Sequence, residues 1–173
     1  MDFAMPEENS SDIKVIGVGG GGGNAVNHMF NQGIEGVDFI ICNTDKQALD
    51  ESPVPIKIQL GKDLTEGRGA GMIPERGMNA ALENIEDIRE LLSNNTKMVF
   101  VTAGMGGGTG TGAGPVIAQV AKDMGVLTVG IVAKQLTNVL NNFHSRIHAH
   151  VWNHSSSTSF CKIFTKLYLY WNR

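Results

Sequence analysis

Two glycine-rich strings carry the chemistry this sequence could do. The first is Gly19-Gly20-Gly21-Gly22-Gly23-Asn24, directly after the apolar run 13–18 and before a helical pattern. The second runs from Gly104 to Gly114 (Gly-Met-Gly-Gly-Gly-Thr-Gly-Thr-Gly-Ala-Gly), after the apolar run 97–103 and again before a helical pattern. Glycine has no Cβ, so its backbone N–H can approach an anion closely, and a helix start adds unpaired donors and a favourable dipole. Strand, glycine string, helix is therefore a phosphate-binding arrangement. Thr109 and Thr111 could cap the second helix or offer hydroxyls to phosphate oxygens. Tight strand-to-helix packing also selects glycine, but five in a row exceed what packing needs.

Two other segments could reach the same place. Asn43-Thr44-Asp45 closes the apolar run 37–42, which puts Asp45 where an acid could take a ribose hydroxyl; an Asx turn or helix cap is the competing role. Gly67-Arg68-Gly69-Ala70-Gly71 is a glycine-rich loop with one cation, either a cover for phosphates or a plain surface loop. No lysine lies in or beside either glycine string, which excludes a Walker-type loop, and the kinase signature set is absent. His144, His148, His150 and His154 are the nearest approach to a metal cluster. His144 and His148 would share a face if helical, but no acid is at hand to orient them, so no metal site is expected.

The elements that must hold these residues follow from periodicity. Strands are expected at 13–18, 37–42, 56–60, 97–103 and 126–133, as short apolar runs without alternation. Helices are expected at 24–32 and 74–93, the latter as one helix or two with Met78, Ala81, Leu82, Ile85, Ile88 and Leu92 inward. Another should follow the second glycine string, with Ala113, Val116, Ile117, Val120, Ala121 and Met124 on one face. Alternating strands and helices predict a Rossmann-like α/β fold, a doubly wound and mostly parallel five-stranded sheet. In the strand order 3-2-1-4-5-6, the first and fourth strands are neighbours at the switch point, so both glycine strings would face one crevice.

Composition adds a boundary. The chain has 173 residues, 42% of them hydrophobic, with 22 glycines and a net charge of −3. This excludes a disordered polyelectrolyte and a collagen, and there is no apolar run long enough to span a bilayer. Cys42 and Cys161 make neither a disulfide framework nor a zinc site, which fits a reducing cytoplasm. All seventeen acids and all glycines precede Lys134; the first 134 residues carry −7, and the last 39 carry +4 with no acid. The sequence therefore divides into a disordered N-terminal segment (1–11), an incomplete nucleotide-binding domain (12–134) and a poorly ordered tail (135–173), which would leave strand 126–133 as an open edge.

The strings Gly-Val-Gly-Gly-Gly-Gly-Gly-Asn-Ala-Val-Asn (17–27) and Gly-Gly-Gly-Thr-Gly-Thr-Gly (106–112) resemble the tubulin/FtsZ family of GTPases, and within it the bacterial cell-division members. The second string is that family's signature. The resemblance covers about residues 11–134. It implies GTP or GDP as ligand, with Mg2+ accompanying the nucleotide. It places Gly20, Gly21, Gly22, Gly23 and Asn24 on the phosphates, and Gly107, Gly108 and Thr109 around the distal phosphates together with Gly104, Gly106 and Gly110 of the same string. Ala70 and Gly71 fall near the γ-phosphate, and Asn43, Thr44 and Asp45 form a further nucleotide loop. It also implies GTP hydrolysis, filaments and other division proteins as partners, at a cytoplasmic midcell site. The sequence departs from the family at Gln135–Asn142, where the family has a Pro-Phe segment and nucleotide-contacting Glu and Arg residues. The family's acidic catalytic loop has no counterpart, so no catalytic residue is assigned and both hydrolysis and self-association are expected to be impaired.

Two readings of other classes stand beside this one. A nicotinamide-dinucleotide domain would use Gly17, Gly19, Gly22 and Asp45, but has no need of the second glycine string. A non-catalytic interaction fragment would use the basic, aromatic tail, although four charges give little pull on nucleic acid or anionic lipid at physiological salt.

Overall fold

The apolar runs become the strands of one sheet: β1 (Ile13–Val18), β2 (Asp38–Asn43), β3 (Ile56–Gln59), β4 (Met98–Met105), β5 (Leu127–Leu136) and β6 (His144–Trp152). A computed structural model describes residues 11–136 and 144–152, with side chains to Ala133. The expectations for residues 1–10, for His154 and Cys161, and for the rest of the tail beyond Trp152 lie outside those residues. The helices are α1 (Gly19–Asn31), α2 (Lys46–Asp50), α3 (Lys62–Thr65), α4 (Pro74–Glu83), α5 (Ile85–Ser93) and α6 (Gly108–Asp123). The sheet order is β3-β2-β1-β4-β5-β6, and β1 to β5 are parallel. The expected five-stranded parallel α/β sheet is present, with β1 beside β4.

Both faces of the sheet are covered, as runs without alternation require. On one face Ile16, Val18, Val99 and Val101 pack with Ile88, Leu92 and Ile117 from α5 and α6. On the other, Val15, Phe39 and Ile41 pack with Val26 of α1. Cys42 is in the first layer, and burial pushes its thiol up to about 12. Ser11, expected in the disordered segment, donates its backbone N–H to Asp38 and its hydroxyl to the Gly36 carbonyl.

Three expectations need correcting. The two glycine strings do not simply precede their helices. The whole of Gly19–Gly23 belongs to α1, while Gly104 and Met105 extend β4 and Gly108 already opens α6, leaving Gly106 and Gly107 as the link. Glycine's low helix propensity, about 1 kcal/mol per residue, is overridden here by packing. The second correction concerns α4, where Met78 and Leu82 are exposed and Gly77, Ala80 and Ala81 are buried. A Cβ on Gly112 of α6 would strike the Pro74 carbonyl oxygen, so α4 lies too close to α6 for large side chains between them. The third concerns β5, which is not an open edge: β6 pairs with it antiparallel, from Thr128 opposite Trp152 to Leu136 opposite His144.

A β6 that stays paired protects the β5 amides directed toward it. Hydrogen exchange should find them as slow as those of β4. Fast exchange at those amides, with the β5 amides directed toward β4 still slow, would show an open edge instead.

Candidate functional site

Helical periodicity divides the first glycine string into two jobs. Gly19, Gly22, Gly23 and Val26 form the buried stripe of α1, while Gly20, Gly21 and Asn24 are exposed. A Cβ on Gly22 would strike the Thr102 carbonyl oxygen, and one on Gly17 would lie 2.6 Å from the Gly22 carbonyl oxygen. These two glycines let α1 sit directly on β1 and β4. Gly19 starts the helix at φ +69°, with a Cβ position 2.8 Å from the Gly110 nitrogen, so only glycine fits the turn. By contrast, a Cβ on Gly20 meets nothing within 4 Å.

The second string divides in the same way. A Cβ on Gly110 would strike the Gly104 carbonyl oxygen, and one on Gly108 would lie 2.8 Å from the Ala70 Cβ. Gly107, the residue before α6, has φ −99° and nothing within 4 Å of its Cβ position. Gly20 and Gly107 are therefore glycines that neither packing nor their own backbone angles call for.

The four candidate segments meet around the start of α6. Gly21 and Gly104 are in backbone contact, as are Gly19 and Gly110. The Thr44 and Thr109 hydroxyls are 2.6 Å apart. The 67–71 loop is tied to the end of β2 by Gly69 N–H to the Thr44 carbonyl and Lys46 N–H to the Gly67 carbonyl. Ala70, 3% exposed, packs under Gly108.

Most of the other expected site residues also make contacts within the protein. Asp45 caps α2, its Oδ1 accepting the N–H groups of Gln47 and Ala48, which is the Asx role. Asn43 is buried, and its Oδ1 accepts the Asp45 N–H at 3.3 Å. Arg68 is exposed and pairs with Glu66 at 3.0 Å. Gly71 is exposed with φ +60°. Thr111 does not cap α6; its hydroxyl accepts the Gly106 N–H at 3.1 Å and so holds the link. Two contributors had no sequence signal: Thr65, whose buried hydroxyl lies 3.3 Å from the Thr44 carbonyl oxygen, and Gly77, which lets α4 approach Gly108.

The electrostatics select an anion. Each of α2 to α5 carries a carboxylate at its start: Asp45, Asp63, Glu75, and Glu86 with Asp87. The two long helices α1 and α6 carry none, and neither has a side-chain cap. Their first N–H groups are left for something else, and both helices begin where β1 and β4 end.

A model of the tubulin/FtsZ family GTPase domain matches residues 12–152, most of the chain. The chain belongs to the tubulin/FtsZ family. That match takes in β6, beyond the compositional break at Lys134. The cell division protein FtsZ of Pseudomonas putida is 62% identical over 122 residues, covering 70% of this chain and 30% of that protein. A solved FtsZ dimer, empty, from M. jannaschii superimposes with a TM-score of 0.68 at 43% identity, covering 73% of this chain and 36% of that one. CetZ2 from Haloferax volcanii, solved as a GTPγS-bound protofilament, matches with a TM-score of 0.60 at 30% identity, covering 72% and 39%. The chain thus spans about a third of the length of the relatives it matches.

The division of glycines has a measurable consequence. Gly22→Ala should cost about 1–3 kcal/mol in denaturant unfolding, because the Thr102 carbonyl must move. Gly20→Ala should leave stability unchanged or slightly higher. Equal effects at both positions would show that the stripe is misassigned.

Proposed function

We propose that this chain is the phosphate-binding half of a GTP site in a cytoplasmic cell-division GTPase of the tubulin/FtsZ family. One observation carries the reading: two uncapped, acid-free helix starts converge at the switch point of the sheet, with Gly20 and Gly107 left open toward solvent. The arrangement supports binding by backbone N–H groups of Gly20 to Asn24 and of Gly106 to Gly110, with the Thr109 hydroxyl beside them. Ala70 and Gly71 reach the same region through the packing of Ala70 on Gly108. Asn43, Thr44 and Asp45 support the site from beneath rather than from an exposed edge. Among the described residues no group of three His, Cys, Asp or Glu is placed to hold an ion. Magnesium in this reading therefore arrives as a partner of the phosphates, which supply its oxygen ligands.

Filament formation and other division proteins as partners extend the reading by kinship, supported by the protofilament form of the Haloferax volcanii relative. No helix among the described residues is long and apolar enough to cross a membrane. The nicotinamide alternative has no use for the second glycine string, whose helix start converges on the same crevice, and its acid, Asp45, has one carboxylate oxygen engaged in capping α2.

Titration of the purified chain with fluorescent GTP, with Mg2+ present, and separately with NAD tests the reading. GTP should bind and NAD should not; equal affinities would overturn the assignment. Gly107→Ala is a sharp probe, because the new Cβ touches no protein atom and can act only on what approaches from outside. It and Thr109→Ala should each weaken GTP by about fivefold or more, against no change for the exposed-helix control Glu86→Ala.

Turnover is a separate expectation. In the family, water activation comes from an acidic loop of the neighbouring subunit, and this sequence has no acid after Asp123. The 173-residue chain by itself should show little GTP hydrolysis at any protein concentration. Sustained, concentration-dependent phosphate release from a preparation free of full-length relatives would overturn that.

A further inference from the structure

Thr44 is 0% exposed, so its side chain cannot touch a ligand in the crevice. Its hydroxyl nevertheless ends 2.6 Å from the hydroxyl of Thr109, which is only partly buried and stands in the first turn of α6. We infer that Thr44 is a positioning residue for the distal phosphate. Its hydroxyl donates to Thr109, so that the single proton of Thr109 points outward to a phosphate oxygen. This rests on the nucleotide reading above and adds to it a direction for the hydroxyl chain.

The direction follows from proton counting. A hydroxyl has one proton and two acceptor lone pairs, and an ionised phosphate oxygen only accepts. If Thr109 is to donate to phosphate, it must accept from Thr44. The resulting chain, Thr44 to Thr109 to phosphate, runs through a buried end where each bond polarises the next. The backbone of Thr44 is also held: its carbonyl accepts from Gly69 N–H at 3.2 Å and from the Thr65 hydroxyl at 3.3 Å. The inner end of the chain is thereby fixed at the floor of the site, and the 65–71 loop is built onto the same residue.

The test compares GTPγS and GDP binding to the 173-residue chain with Thr44→Val, Thr44→Ser, Thr109→Val and the double change Thr44→Val/Thr109→Val. Thr44→Val keeps the shape and removes the proton. It should weaken GTPγS roughly tenfold and GDP much less, while Thr44→Ser restores wild-type binding. Because Thr44 acts through Thr109, the double change should be no worse than Thr109→Val alone. Additive losses would overturn the inference, as would equal losses for both nucleotides. A wild-type measurement covers the case in which Thr44→Val does not fold. The buried Thr44 hydroxyl proton should give a slowly exchanging NMR signal that shifts on saturation with GTPγS; a signal unmoved by bound GTPγS overturns the inference. If the wild type binds no guanine nucleotide, the nucleotide reading falls and takes this inference with it. If it binds and Thr44→Val binds as tightly, only this inference falls.

Discussion

Backbone-to-backbone contact at the ends of β1 and β4 is the constraint on which the rest of the structure depends. Gly17 against Gly22, Gly22 against Thr102 and Gly110 against Gly104 are contacts that a single Cβ would break, and Gly21 against Gly104 is one that it would crowd. They bring the starts of α1 and α6 down onto the sheet and within reach of each other. Unpaired N–H groups are useful to an anion only if several can point at it together, and that requires the two helix starts to be closer than side chains would allow.

The same closeness decides how α6 is held. Its first half contains Gly108, Gly110, Gly112, Gly114 and Pro115, a run with little intrinsic tendency to be helical. Its second half, with Ile117, Val120 and Ala121 buried, is an ordinary core helix. The end that forms the site is therefore stabilised by its neighbours and not by itself. Those neighbours are Ala70 against Gly108, α4 against Gly112 and Thr111 holding the Gly106 N–H. Because α4 must sit close, its small residues face α6, and Met78 and Leu82 are displaced to the outside.

Much of this was legible in the sequence. The strand order and the convergence of both glycine strings follow from alternating apolar runs and the common doubly wound order, and the structure agrees. Local conformation within the strings was not legible. Glycine signals a loop by its own preference, and only tertiary contact with Thr102 and Gly104 makes Gly19–Gly23 helical. The inward face of α4 was misread for the same reason, since periodicity ranks Met and Leu above Gly and Ala as core residues and carries no information on interhelix distance. Asp45 had two roles open to it by type, and the cap is the one its position at the start of α2 takes. The pairing of β6 had no visible signal in a segment whose composition differs so sharply from the rest.

Charge gives the last constraint. The first 134 residues carry a net −7, which taken alone disfavours a polyanionic ligand. At physiological salt, however, exposed charges more than about 8 Å away are largely screened, so the placement of acids matters more than their sum. Here they are placed on the starts of α2, α3, α4 and α5 and are absent from those of α1 and α6. Four helices satisfy their dipoles with their own carboxylates, and the two that meet at the switch point do not. An acidic domain can in this way keep one locally positive spot made entirely of backbone. That spot needs no lysine, which is why the two strings contain none and still form the part of the fold best suited to phosphate.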